Sequence, residues 1–129
     1  MTAQQLLMCD DEPDVGAFVR RIAEDLGYQM HFTARADDFG PLYRSARPDV
    51  VILDLVMSGT DGIELLRFLA QKRSRARILL MSGFDPGIRE VALLLGEAHL
   101  LDMVGIVAKP VRAADLRTLL AGLQDGAAS

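Results

Sequence analysis

Val50-Val51-Ile52-Leu53 runs into Asp54 without one polar residue between them. An unbroken branched-apolar run of this length reads as a parallel strand buried on both faces, because half-buried strands alternate. The strand ends by presenting a carboxylate. Asp61-Gly62 and a helical pattern follow, so Asp54 stands where strand gives way to loop. In open α/β sheets that edge collects ligands and chemistry.

The rest of the chain repeats this arrangement. Leu6-Leu7-Met8-Cys9 is a short apolar strand that empties into Asp10-Asp11-Glu12, and Pro13 suits a first helical turn. Val15, Phe18, Val19, Ile22 and Leu26 recur at helical spacing up to Gly27. Tyr28 to Phe32 is a second strand with poorer alternation, which suits a sheet edge. The helix after it contains Gly40-Pro41. With Asp37 or Asp38 as cap, the proline falls in the first turn, where it is tolerated.

The helix from Asp61 carries Ile63, Leu65, Leu66 and Leu69, and Arg77 to Met81 is a fourth strand ending in Ser82-Gly83. Asp85-Pro86 is a cap-then-proline helix start. Ile88 to Met103 is leucine-rich on several faces. Val104 to Val107 forms a fifth strand leading to Lys109-Pro110, and Leu116, Leu119, Leu120 and Leu123 mark a last helix. Residues 124–129 read as a fraying tail, leaving a core of about 4–123 in a single domain of 129 residues. Five strands alternating with five helices give an α/β fold, a parallel five-stranded sheet between two helical layers.

Bulk properties narrow the function. A net charge of −4 argues against nucleic acid or an anionic membrane as partner. One cysteine permits no internal disulfide, and no apolar run approaches a membrane span, so the expected location is the cytoplasm.

Parallel strands bring all their ends to one edge of the sheet. Asp10, Asp11, Asp54, Ser82 and Lys109 then share a small volume. Three clustered carboxylates repel one another unless a cation lies among them. An all-oxygen donor set selects a hard ion, Mg²⁺ first and Mn²⁺ as substitute. One carboxylate beside such an ion can accept a phosphoryl group, with Lys109 and the Ser82 hydroxyl binding its oxygens. Asp54 is then a nucleophile forming an acyl phosphate.

Asp10-Asp11-Glu12-Pro13, Asp54-Leu-Val-Met57, Asp61-Gly62, Ser82-Gly83 and Lys109-Pro110 occur in the order found in response regulator receiver domains of two-component systems. The chain resembles that family, in the single-domain, chemotaxis-regulator-like form, over essentially its whole length. The resemblance implies a doubly wound, flavodoxin-like sheet of strand order 2-1-3-4-5. It implies that Asp54 receives a phosphoryl group from a phosphohistidine of a sensor histidine kinase or histidine phosphotransfer protein. Asp11 would bind Mg²⁺ directly, Asp10 chiefly through water, and the Val56 backbone carbonyl would add a ligand. Ser82 and Lys109 would engage the phosphoryl group and signal to the face of helix 4, strand 5 and helix 5, for partner binding or a homodimer. Beyond self-catalysed phosphotransfer and autodephosphorylation the chain would not be an enzyme.

Three departures from the family pattern matter. Ser58 replaces the usual proline, Ile106 replaces an aromatic switch residue, and the Ser82–Lys109 segment is longer by about one helical turn of ~3.6 residues. Leu93-Leu94-Leu95 cannot all face inward on one helix, so an apolar side chain is expected on the surface.

The residues also admit plainer roles. Asp10 and Asp11 could simply cap the first helix, Ser82 could be a turn serine, and Asp61 is best read as a cap. Cys9 reads as core, and His31 and His99 lack metal-ligand spacing. Three other functions compete. An interaction module working without phosphorylation stays open because of Ile106. An aspartyl-nucleophile phosphatase of the haloacid dehalogenase type needs an acid at position 56, which is Val56. A flavin binder needs a phosphate-binding first loop, which three acids oppose.

Overall fold

The computed structural model describes residues 3–55, 57, 61–83 and 86–128. Five strands, β1 (Gln5–Cys9), β2 (Gln29–Thr33), β3 (Val50–Asp54), β4 (Arg77–Ser82) and β5 (Asp102–Ala108), alternate with five helices. These are α1 (Pro13–Asp25), α2 (Ala36–Ala46), α3 (Asp61–Gln71), α4 (Pro86–Ala98) and α5 (Ala113–Ala128). The sheet order is β2-β1-β3-β4-β5, and every pairing is parallel. β3 sits at the centre with all five residues buried, as its unbroken apolar run requires.

Alternation along the strands divides the core in two. Leu7, Cys9, Val51, Leu53, Ile78 and Leu80 pack against Phe39 of α2, Leu65, Leu66 and Leu69 of α3 and Ala92 of α4. Leu6, Met8, Val50, Ile52, Leu79 and Met81 pack against Val19, Ile22 and Ala23 of α1 and Leu116 and Leu120 of α5. Each fully buried leucine here contributes about 1.5–3 kcal/mol. This period-two division governs which functional side chains share a side of the sheet.

Several expectations need correction. α2 begins at Ala36 after Arg35, so neither Asp37 nor Asp38 caps it and Pro41 lies inside the helix. Pro41 cannot donate to the Asp37 carbonyl. Both residues face solvent while Phe39 and Ala46 anchor the opposite side, so water can serve the freed carbonyl. The expected tail is helical instead: α5 continues to Ala128, and Gln124 Nε2 donates to the Leu26 carbonyl at 2.6 Å.

The leucine-rich stretch divides at Ala98, so Met103 belongs to β5, which starts at Asp102. A register shift opposite Ile78 and Leu79 accommodates the extra residue. Phe18, expected in the α1 core stripe, is 37% exposed. Leu93 and Leu94 are exposed as anticipated. Asp85 lies outside the described residues.

Candidate functional site

The carboxyl-terminal edge of the sheet assembles the site. Asp54 is the last residue of β3 and is 1% exposed. Asp10 follows β1 and is fully buried, with Oδ1 accepting the Glu12 backbone N–H at 2.9 Å. Asp11 is exposed. The Lys109 backbone N–H donates to the Ser82 carbonyl at 2.9 Å, extending the β4–β5 ladder past its end and fixing where the lysine departs.

The two-residue alternation sets the directions. Asp10 continues the Leu6–Met8 row, Asp54 the Val50–Ile52 row, and Lys109 follows Val107, all rows of the α1/α5 side. The Lys109 ammonium accordingly lies 2.9 Å from Asp54 Oδ2 and 2.9 Å from Asp10 Oδ2, with Glu12 Oε2 at 3.7 Å. Its contact with Asp54 is a directed hydrogen bond. Asp10 Oδ2 is met off the hydrogen-bonding direction, so that contact is ionic. Partial burial pulls the lysine pKa down, but bonding and attraction to Asp54 and Asp10 outweigh it and hold the pKa above the usual value.

Asp10, Asp11 and Asp54 each offer an oxygen within 4.8 Å of the others. This donor set, hard oxygens with two of the three carboxyls buried, fits a divalent cation of the Mg²⁺ type. Val56, the expected source of a carbonyl ligand, lies outside the described residues. So does the Asp61 side chain.

Ser82 falls on the other row, after Ile78 and Leu80, toward the α2–α4 side. Its hydroxyl is buried and donates to the Gly83 carbonyl at 3.3 Å. Ile106 lies half-buried on that side, paired in register with Leu80. Ser82 and Ile106 therefore share one side of the sheet, and the three acid and amine side chains of Asp10, Asp54 and Lys109 the other.

Two contributors escaped the sequence reading. Gly62 was legible only as a turn glycine. A Cβ there would stand 2.6 Å from the Asp54 carbonyl oxygen and 2.7 Å from Leu55 Cα, so only glycine lets α3 start so close to the β3 exit. Glu12 adds a third acid near the ammonium; its place beside the Asp pair was the available signal.

A parallel sheet of this order with acids and a lysine at its carboxyl edge defines a receiver-type domain. Residues 6–121 match the family model for the response regulator receiver domain, and the chain belongs to that family. It is 30% identical over 118 residues to the positive alginate biosynthesis regulatory protein of Pseudomonas aeruginosa, covering 89% of this chain and 45% of that one. It is 32% identical over 83 residues to the nitrogen assimilation regulatory protein NtrX of Azorhizobium caulinodans, covering 63% of this chain and 18% of the relative. The chain thus spans less than half the length of either. A response regulator crystal structure from Colwellia psychrerythraea superposes with a TM-score of 0.85 at 27% identity, covering 97% of this chain and 99% of that one.

Proposed function

We propose that Asp54 is the phosphoacceptor of a Mg²⁺-dependent signalling module, fed by a phosphohistidine on a sensor histidine kinase or histidine phosphotransfer protein. The observation that carries this is the buried Asp54 carboxylate held beside Asp10, Asp11 and Lys109. An Asp54 oxygen forms the new P–O bond while the donor's P–N bond breaks, its electron pair leaving on the imidazole nitrogen. Lys109 is placed to transfer its pairing from Asp54 to a phosphoryl oxygen as a point charge. The Ser82 hydroxyl would donate to another oxygen, giving up the weak 3.3 Å bond to Gly83. Asp10, Asp11, Asp54 and the Val56 carbonyl would hold the metal, Mg²⁺ or Mn²⁺, which supplies charge neutralisation when bound.

The remaining parts of the reading follow from this. The chain acts as a single receiver domain without turnover of an external substrate, in the cytoplasm. Among the described residues no helix is long and apolar enough to cross a membrane. Output runs through α4, β5 and α5, where Val91, Leu93 and Leu94 leave apolar surface for a partner or a second copy. Ile106 favours a second reading, a module that binds partners without phosphorylation, because no ring is present to report the modification. Sedimentation and partner capture with and without beryllofluoride and Mg²⁺ separate the two. A change in assembly or capture supports phosphorylation control; identical behaviour in both states supports the second reading.

A further inference from the structure

The amino-terminal edge of the sheet, opposite Asp54, carries a groove of about 520 Å³. Its floor includes Val50 at the start of β3 and Ala76 just before β4, beside Pro48. Four arginines line it, Arg44, Arg47, Arg75 and Arg77, against one carboxylate, Asp49. That excess of positive charge sits in a chain of net charge −4.

The charges are unequally committed. Asp49 Oδ2 already accepts the Gln5 backbone N–H at 2.8 Å. Arg77 donates to the Leu123 carbonyl at 2.8 Å and lies 3.8 Å from Asp102 Oδ2. Among the described residues no carboxylate pairs with Arg44, Arg47 or Arg75. Gln4, also lining the groove, has a buried Oε1 with no donor.

We propose that this groove binds a nucleoside phosphate. Guanidinium forks match phosphate oxygens in pairs, which accounts for unpaired arginines converging on a concavity. The volume lies within the roughly 300–1,000 Å³ of small-molecule sites and exceeds what a bare phosphate fills. Half-buried Pro48 gives the base an apolar surface, with Val50 and Ala76 closing the floor beneath it. A long nucleic acid strand suits this less well, because the protein's overall negative charge repels an extended polyanion.

The test uses ATP as probe in EDTA at physiological salt, so that no metal recruits it to the Asp54 end. Calorimetry should show one ATP per chain with a micromolar dissociation constant, and pyrophosphate should bind at least ~10-fold more weakly. Arg44→Ala/Arg75→Ala should weaken ATP at least ~10-fold, while its circular dichroism and urea midpoint stay those of the unaltered chain, which confirms its fold. Amide shifts on the unaltered chain should centre on Val50 and Ala76. Absence of ATP binding at millimolar concentration overturns the proposal. So does undiminished affinity in the double variant, pyrophosphate binding as tightly as ATP, shifts centred on Asp54, or binding of an oligonucleotide but not of ATP.

Discussion

The Lys109 ammonium lies 2.9 Å from Asp54 Oδ2, donating a hydrogen bond across the end of the sheet. Asp10 Oδ2 is equally near the same nitrogen. One cation thus lies against two buried carboxylates.

Lys109→Met should therefore act in two opposite directions. Without metal it removes the cation shared by the buried Asp10 and Asp54 and should cost roughly 3 kcal/mol in urea unfolding. With Mg²⁺ most of that loss should be recovered. Calorimetric Mg²⁺ affinity should rise about tenfold, since the competing cation is gone, a gain of ~1.4 kcal/mol. Affinity equal to or below that of the unaltered chain would mean that the lysine does not compete for the site.

Gly62→Ala should damage both stability and labelling. The added Cβ meets backbone at 2.6 to 2.8 Å on Asp54 and Leu55, and backbone cannot turn aside as a flexible side chain can. A cost of about 1–3 kcal/mol is expected from overpacking. The rate of phosphorylation by acetyl phosphate should fall as the strand tip shifts. Gly83→Ala is the control: nothing lies within 4 Å of its added Cβ, and it should unfold near the unaltered midpoint.

Tyr28 sets an alkaline limit. Its hydroxyl donates to the Leu120 carbonyl at 2.6 Å, tying α5 to the start of β2. Burial pushes its pKa up from 10.0 to about 12, with Arg77 lowering it and Asp49 raising it by smaller amounts. The unfolded chain thus loses the phenolic proton first, and stability present below pH 10 declines as pH rises toward about 12. The decline should approach roughly 2 kcal/mol. Tyr28→Phe should lower stability at neutral pH by about 1 kcal/mol and flatten that alkaline slope. Urea unfolding from pH 8 to 11 measures both, and an unchanged slope would remove Tyr28 as its source.

The strands and their carboxyl ends were readable because β3, β1 and β4 are apolar without interruption, and parallel pairing then dictates where Asp10, Asp54, Ser82 and Lys109 emerge. The family model spanning residues 6–121 agrees with the ordered motifs on which the resemblance rested. α2 was misread because propensity places Pro41 in a first turn, whereas packing of Phe39 and Ala46 starts the helix five residues before the proline, at Ala36. The end of α5 was misread for a related reason. Small residues after Leu123 look like a tail, yet Gln124 bonds Leu26 and Arg77 bonds the Leu123 carbonyl, contacts no local pattern announces. Gly62 was hidden because its need for glycine comes from a neighbouring strand end and not from its own turn.

The most direct measurement is intact-mass spectrometry with peptide mapping after acetyl phosphate treatment. The unaltered chain with Mg²⁺ should gain one phosphoryl group, mapped to Asp54, and lose it slowly on standing. Asp54→Asn, or the unaltered chain in EDTA, should gain none. A phosphoryl group retained in Asp54→Asn, or one that forms equally well without a divalent ion, would contradict the role given to Asp54 and its neighbouring acids.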